Sequence, residues 1–398
     1  MEDEFFIFDR VDIVFDQYFD LSIKSMTRGN RGAEQAGYCV LDNTPLPTNW
    51  DEFLKNIENK KELNQFLAMR LVESVKIRPE KVFIATCNES VLMSSGCALN
   101  VDSLQPCNQE EADTRMFLHV IHASAHGSLR VTIRSNDTDI IVLGLALFPQ
   151  LGLEELHVTF GTDKKYQIIP IHDMFRSLGL EKCLALLMFH SLTGCDSTTA
   201  LFGIPKQTAF QKWIETAERD CLILTAMLNL TSPDLGSVIL ESNADVVIVE
   251  RFVSSMFSQS SKTLDEARLE LFQHKGTSLT RLPMTSHTFS NKLKRSMYQS
   301  SIWVQSIVKT IRLPEPEHWG FKKTDNSTLV FDWGTQLDIV SAKKWDTFRN
   351  CGCRKNCTTN GRCGCHKQTA SSSSTANQVE VLGCTTLCKC PCNATTEI

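Results

Sequence analysis

The sequence has no apolar run long enough to cross a bilayer. Its longest, Ile140 to Leu147, is closed off by Pro149, well short of the ~20 residues a spanning helix needs. It has no basic excess either: 41 Lys and Arg stand against 46 Asp and Glu, a formal net charge of −5. A chain-wide electrostatic footprint for nucleic acid is thereby excluded, and any basic surface must be local. The opening residues Met1-Glu2-Asp3-Glu4 are acidic and cannot supply the positive start of a secretory signal. No internal repeat occurs, and the one low-complexity stretch is Ser371 to Ser374. The expectation is a soluble, intracellular protein with no membrane partner.

What is present is a globular composition. The 398 residues are 42% hydrophobic and 22% charged, enough for about two or three domains around real cores. Val11 to Asp16, Lys81 to Thr86, Leu129 to Ile133, Glu154 to Phe160 and Lys165 to Ile171 read as strands. Helical patterns run from Trp50 to Val75, open at Glu110, and recur around Leu184 to Phe189 and after Gly203. Strands alternating with helices imply an α/β domain with a parallel sheet covered on both faces. Beyond about residue 225 the pattern turns helical (244–258, 262–275, 288–311), and Pro314 to Thr328 reads as a linker or loop. The expected organisation is an α/β domain over 1–225, a mainly helical region and linker over 226–345, and a small Cys-rich module over 346–398. Trp319, Trp333 and Trp345 are expected to anchor packing rather than stack on bases.

The chemistry is carried by carboxylates in unusual settings. Asp137 and Asp139 follow a strand and precede an apolar run. Ligands of open α/β sheets sit just outside such strand ends. Glu111 and Asp113 open a helix, where acids also serve the helix dipole. Asp196 stands at a helix break and Asp16 at a strand end. These six acids would repel one another if they converged without counter-charge. Mg²⁺ or Mn²⁺ is the expected remedy. Two such ions ~3.5–4 Å apart activate water and stabilise the leaving oxygen of a phosphodiester. Lys24, Arg28 and Arg31 share one helix face by spacing, and Lys206 opens a helix after a Gly-Ile-Pro turn. Each is a candidate phosphate contact, with an ordinary solvated face or turn as the alternative.

Nine of the sixteen cysteines lie between Cys351 and Cys392. Cys351, Cys353, Cys357, Cys363 and Cys365 form C-x-C-x3-C-x5-C-x-C, and Cys384, Cys388, Cys390 and Cys392 form C-x3-C-x-C-x-C. Dense cysteine without a secretory signal favours metal over disulfides. Nine thiolates exceed one tetrahedral site and suit about three structural Zn²⁺ ions sharing bridging sulfurs.

The order of the acidic motifs resembles the PIN-like nucleases of the flap-endonuclease (5′-nuclease) type. Val14-Phe15-Asp16 looks like that family's V-F-D-G strand end, and Glu111-Ala112-Asp113 like its E-A-E helix start. Asp137-Thr138-Asp139 looks like its D-x-D, and Gly194-Cys195-Asp196 like its G-x-D-Y. Gly203-Ile204-Pro205-Lys206 is similar to a shortened form of the helix-turn-helix that follows there, and Lys24, Arg28 and Arg31 lie where that family carries a basic helical arch. The resemblance covers about residues 10–215. It implies a three-layer domain with a central parallel sheet. It also implies a carboxylate site for Mg²⁺ or Mn²⁺, and phosphate-backbone contacts from Lys24, Arg28, Arg31 and Lys206. Gln17 replaces the Gly of that pattern and Ser197 its Tyr. The strand bearing G-V-D that precedes V-F-D-G in the family has no counterpart before Asp16, so that strand and one ligand are expected to be missing.

The cysteine spacing resembles the tesmin/TSO1-like CXC domain and the pre-SET zinc cluster, which implies nucleic-acid binding and a nuclear location. The phrases E-E-A-D-T-R, D-T-D-I-I-V-L and F-H-S-L-T-G-C-D-S-T resemble a group of transposon-related invertebrate proteins. The leading expectation is a metal-dependent nuclease joined to a zinc module. The alternative is a catalytically degenerate, transposon-derived protein that binds nucleic acid or protein. An RNase-H-like transposase, which would carry a mixed sheet and an acidic triad, ranks third.

Overall fold

A computed structural model describes residues 8–19, 22–24, 38–74, 81–94, 99–161, 163–232, 234–235, 243–273, 281–325 and 328–334. Arg28, Arg31, Trp345 and the nine cysteines from Cys351 to Cys392 lie outside the described residues.

The fold is mixed α/β. Strand β1 (Arg10–Ile13) pairs in parallel with β2 (Val82–Cys87), which pairs antiparallel with β3 (Ser90–Met93). Strand β4 (Arg130–Arg134) runs parallel to β5 (Glu155–Phe160), which pairs antiparallel with β6 (Gln167–Pro170). Among the described residues no ladder joins these two three-stranded sheets. The one parallel sheet expected from alternation is therefore divided into two small mixed sheets, each with one parallel pair. Connection length explains the antiparallel partners. A parallel return needs a crossover of a dozen or more residues. Only Asn88 and Glu89 separate β2 from β3, and Asn88 turns the chain with φ 52°.

The helix expected from Trp50 to Val75 is two helices, α1 (Trp50–Lys55) and α2 (Ile57–Ser74). Asn56 divides them with ψ 126°, and its side chain accepts the Glu58 N–H at 2.9 Å. An Asn that caps a new helix competes with continuation of the old one.

Helix α3 (Ala112–Ala125) backs both sheets. Leu118 packs with Ile84 and Val91, while Phe117 and Val120 belong to the cluster that holds Ile133. Asp12 of β1 ties the helix down through a 2.7 Å bond to His119, and it holds Arg10, whose guanidinium lies 2.8 Å from His122 Nδ1. Burial works to raise the Asp12 carboxyl, but its bonds to Arg10 and His119 hold it below the usual carboxylate range. This anchor fixes the middle of α3 against β1.

The apolar run after Asp137 is helix α4 (Asp139–Leu151). It is apolar on most faces and accordingly buried, with Ile140, Leu143, Leu145, Ala146 and Leu147 all enclosed. It stops at Gly152, whose φ of 66° suits glycine. Helices α5 (Ile171–Leu178), α6 (Leu180–Thr193), α7 (Lys206–Arg219) and α8 (Leu222–Leu230) follow, then α9 (Ala244–Ser255), α10 (Leu264–Gln273) and α11 (Ser286–Val304). One apolar cluster takes in Leu143 of α4, Leu187 of α6, Met227 of α8, Val253 of α9 and Met297 of α11. The later helices thus share a core with the acid-bearing elements.

Described parts of the stretch read as a linker form regular structure. Pro316–Trp319 forms a 3-10 turn, and β7 (Phe321–Lys323) pairs antiparallel with β8 (Leu329–Phe331). Trp319 is buried in that cluster, and the Arg295 guanidinium lies 4.8 Å from the Phe331 ring and 5.2 Å from the Trp333 ring. Among the described residues no helix is long and apolar enough to cross a membrane.

Candidate functional site

Separate segments deliver the acids to one place. Asp16 follows β1, and its Oδ1 accepts the Ala112 N–H at 2.8 Å, capping α3. Asp137 follows β4, and its Oδ1 accepts the Asp139 N–H at 2.8 Å, capping α4. Two helix starts therefore direct partial positive charge at these carboxylates. Glu111 occupies the N-cap position of α3 but makes no capping bond with its side chain. It turns instead to Lys24, whose Nζ lies 2.7 Å from Glu111 Oε2 and 3.7 Å from Asp196 Oδ2.

Lys24 was expected on a phosphate-contacting face. Its ammonium stands among the carboxylates and acts as their resident counter-ion. Burial works to lower its pKa, but Glu111 outweighs this with help from Asp196 and Asp113, and the group is held above its ordinary range. Burial pushes the Glu111 carboxyl up, with Lys24 opposing. Asp113 has less help: burial, then the charges of Asp137, Glu111 and Asp16, push it up to about 7. These acids sense one another, and the site carries more negative charge than Lys24 balances.

Asp139 is held separately. His190 of α6 places Nε2 at 2.8 Å from Asp139 Oδ1. Burial would raise this carboxyl; the bond and charge of His190, with Lys206 and Lys24 assisting, hold it below the usual range. Lys206, at the start of α7, lies 3.3 Å from His190 Nε2 and donates to the Gly194 carbonyl at 2.7 Å. Burial lowers the Lys206 pKa against the pull of Asp139 and Cys195. A single Nε2 proton serves Asp139, so Lys206 is left to Gly194. His190 was not singled out from sequence. The available signal was its place in F-H-S-L-T-G-C-D, six residues before Asp196.

Asp196 sits on the rim, its side chain 69% exposed. The turn that carries it depends on Gly194, whose φ is 114°. A Cβ there would meet the Ala200 Cα at 2.8 Å and N at 2.9 Å. Gly194→Ala is therefore expected to cost about 1–3 kcal/mol, read as a lower urea midpoint; an unchanged midpoint would show that the turn accepts a side chain.

Among the described residues no group of three or more His, Cys, Asp and Glu side chains stands in a metal-holding arrangement. Lys24 is paired with Glu111, while Asp16 and Asp137 accept helix N–H groups. The charge surplus still fits a divalent cation. Comparison with family models, curated proteins and solved structures finds no match for this chain.

Proposed function

We propose that this chain is a metal-dependent, nuclease-like protein that hydrolyses phosphodiester bonds on a PIN-like three-layer α/β scaffold. The supporting observation is that acids from separate segments meet: Asp16, Glu111 and Asp137 act on Asp113, Lys24 stands against Glu111 and Asp196, and Lys206 acts on Asp139. Glu111, Asp113, Asp137 and Asp196 would hold Mg²⁺ or Mn²⁺ once Lys24 moves aside, with Asp16 supporting them. The bound cation supplies an activated water and stabilises the leaving oxygen. The chain's own groups hold Asp139 ionised through His190 and place Lys206 to meet a phosphate. Arg28, Arg31 and a three-zinc module at Cys351 to Cys392 extend the nucleic-acid contact in this reading, which places the protein in the nucleus.

One observation favours the alternative, a catalytically degenerate nucleic-acid or protein-binding protein of transposon origin: Lys24 already neutralises Glu111. An RNase-H-like triad fits less well, because more than three acids meet here: Asp113 responds to Asp137, Glu111 and Asp16 together. Cleavage of branched and single-stranded DNA and RNA with Mn²⁺ separates the readings. The nuclease reading expects activity that Asp137→Ala removes. Absent activity, or activity indifferent to that substitution, would leave the binding protein.

A further inference from the structure

Beside the acids lies a cavity of about 310 Å³ to which no role has yet been given. It opens between the start of α3 and the far end of α11 with its following loop. Phe19, Ile23, Tyr298, Ile302 and Leu313 line its apolar walls. Glu110, Glu111, Ser22, Thr114 and Asn108 line its polar side, so one carboxylate belongs both to this cavity and to the acid cluster. Ser22 donates to Glu110, Thr114 to the Glu111 carbonyl and Asn108 to the Ile311 carbonyl, which leaves the carboxylates as the groups that accept from a ligand.

The walls are held in place. Asn108 uses both ends of its amide on Ile311, donating to the carbonyl at 3.0 Å and accepting the N–H at 2.8 Å. Lys309 Nζ bonds the Asp102 and Gln105 carbonyls at 2.9 and 3.0 Å. The Tyr298 hydroxyl is committed to the Pro314 carbonyl at 3.1 Å, so its ring, not its hydroxyl, is what it offers.

The size and chemistry select an occupant. Ligand pockets begin at about 300 Å³, which here admits one ring system and not a base pair. Aromatic and aliphatic walls favour a flat apolar ring, and stacking on such walls is worth about 1–3 kcal/mol per base. Ionised carboxylates accept hydrogen bonds and cannot donate them. The Glu110 side chain accepts from Ser22 at 2.9 Å, and a carboxylate oxygen can take more than one such bond. The ligand edge that meets this side must therefore present N–H groups.

We propose that this cavity holds a single unpaired nucleobase bearing ring-edge amino groups, guanine or cytosine in preference to uracil. The proposal rests on the nucleic-acid reading above, and makes single-stranded or unpaired nucleotides the substrate class. A base seated there leaves its phosphate next to Glu111 and the other acids. The end of α11 and the loop after it then form the far wall of the base site.

The test uses the full chain without added Mg²⁺ or Mn²⁺, titrated with guanosine, cytidine and uridine by calorimetry or ligand-observed NMR. Saturable binding of guanosine and cytidine is expected, with uridine at least about tenfold weaker. Ile302→Trp, which fills the cavity, is expected to abolish it. Glu110→Gln keeps the size but adds a donor, and is expected to cut the cytidine-to-uridine preference about fivefold or more while circular dichroism stays unchanged. Equal binding of all three nucleosides, no binding, or a preference unmoved by Glu110→Gln would overturn the proposal. Nucleoside binding without any cleavage would leave the cavity assignment standing and remove the nuclease reading; cleavage without nucleoside binding would do the reverse.

Discussion

Replacing Lys24 with methionine is expected to lower the stability of the metal-free protein at pH 8 by about 3–5 kcal/mol, the usual effect of stranding a buried charge. Lys24 and Glu111 are both largely enclosed, with 15% and 11% of their side chains exposed, and they meet at 2.7 Å. Without the ammonium, Glu111 must either stay charged in a poorly solvated place or take up a proton at a pH where water offers few. Either course costs free energy. Methionine fills a similar volume, so little of the loss comes from a cavity. The same variant should gain more from added Mn²⁺ than the wild type does, because the cation no longer competes with Lys24 and binding to the folded state alone stabilises it. Urea unfolding at pH 8, with and without Mn²⁺, measures both effects. A variant as stable as the wild type would mean that Lys24 is not the counter-ion of the site.

Asp113→Asn is expected to do the opposite and raise stability above pH 7 by about 2 kcal/mol. Burial and the charges of Asp137, Glu111 and Asp16 push the Asp113 carboxyl from an ordinary 3.8 up to about 7. A carboxyl whose folded pKa is raised binds its proton more tightly in the native state. The contribution of Asp113 to stability is therefore greatest at acid pH and falls as pH rises from the reference value to about 7. At about 1.4 kcal/mol per pH unit the full difference bounds the effect near 4 kcal/mol, and solvent screening brings it to about half. Asparagine cannot ionise, so the variant should match the wild type near pH 4, gain on it through neutrality, and level off above about 8. A residue whose removal stabilises the fold fits a site kept for function at a cost to stability. A variant less stable than the wild type at every pH would show that Asp113 is paired and that the repulsion among these acids does not exist.

The acids were legible in the sequence because their positions are set locally. Asp137 and Asp139 follow a strand and Glu111 and Asp113 open a helix, and short-range periodicity shows both; helix α4 itself was not read, because its apolar residues cover most faces and leave no amphipathic period. Lys24 was legible only in part. Helical spacing placed it with Arg28 and Arg31, but its burial between Glu111 and Asp196 is a tertiary contact that spacing cannot carry. His190 was hidden for the same reason, since an Asp-His pair 51 residues apart is made by packing α4 on α6. The division of the sheet was missed because strand periodicity says nothing of partners, while connection length does. The three-residue strands after Pro314 are too short to show an alternation. The short break at Asn56 leaves the helical pattern on either side intact.

On the proposed reading the converged acids form a divalent-cation site. The test is to titrate Mn²⁺ into the full chain at pH 8, with free Mn²⁺ read by electron paramagnetic resonance. Saturable binding is predicted, weakened at least about tenfold by Asp137→Ala and strengthened by Lys24→Met. Mn²⁺ that stays free in the wild type, or binding that neither substitution alters, would contradict it.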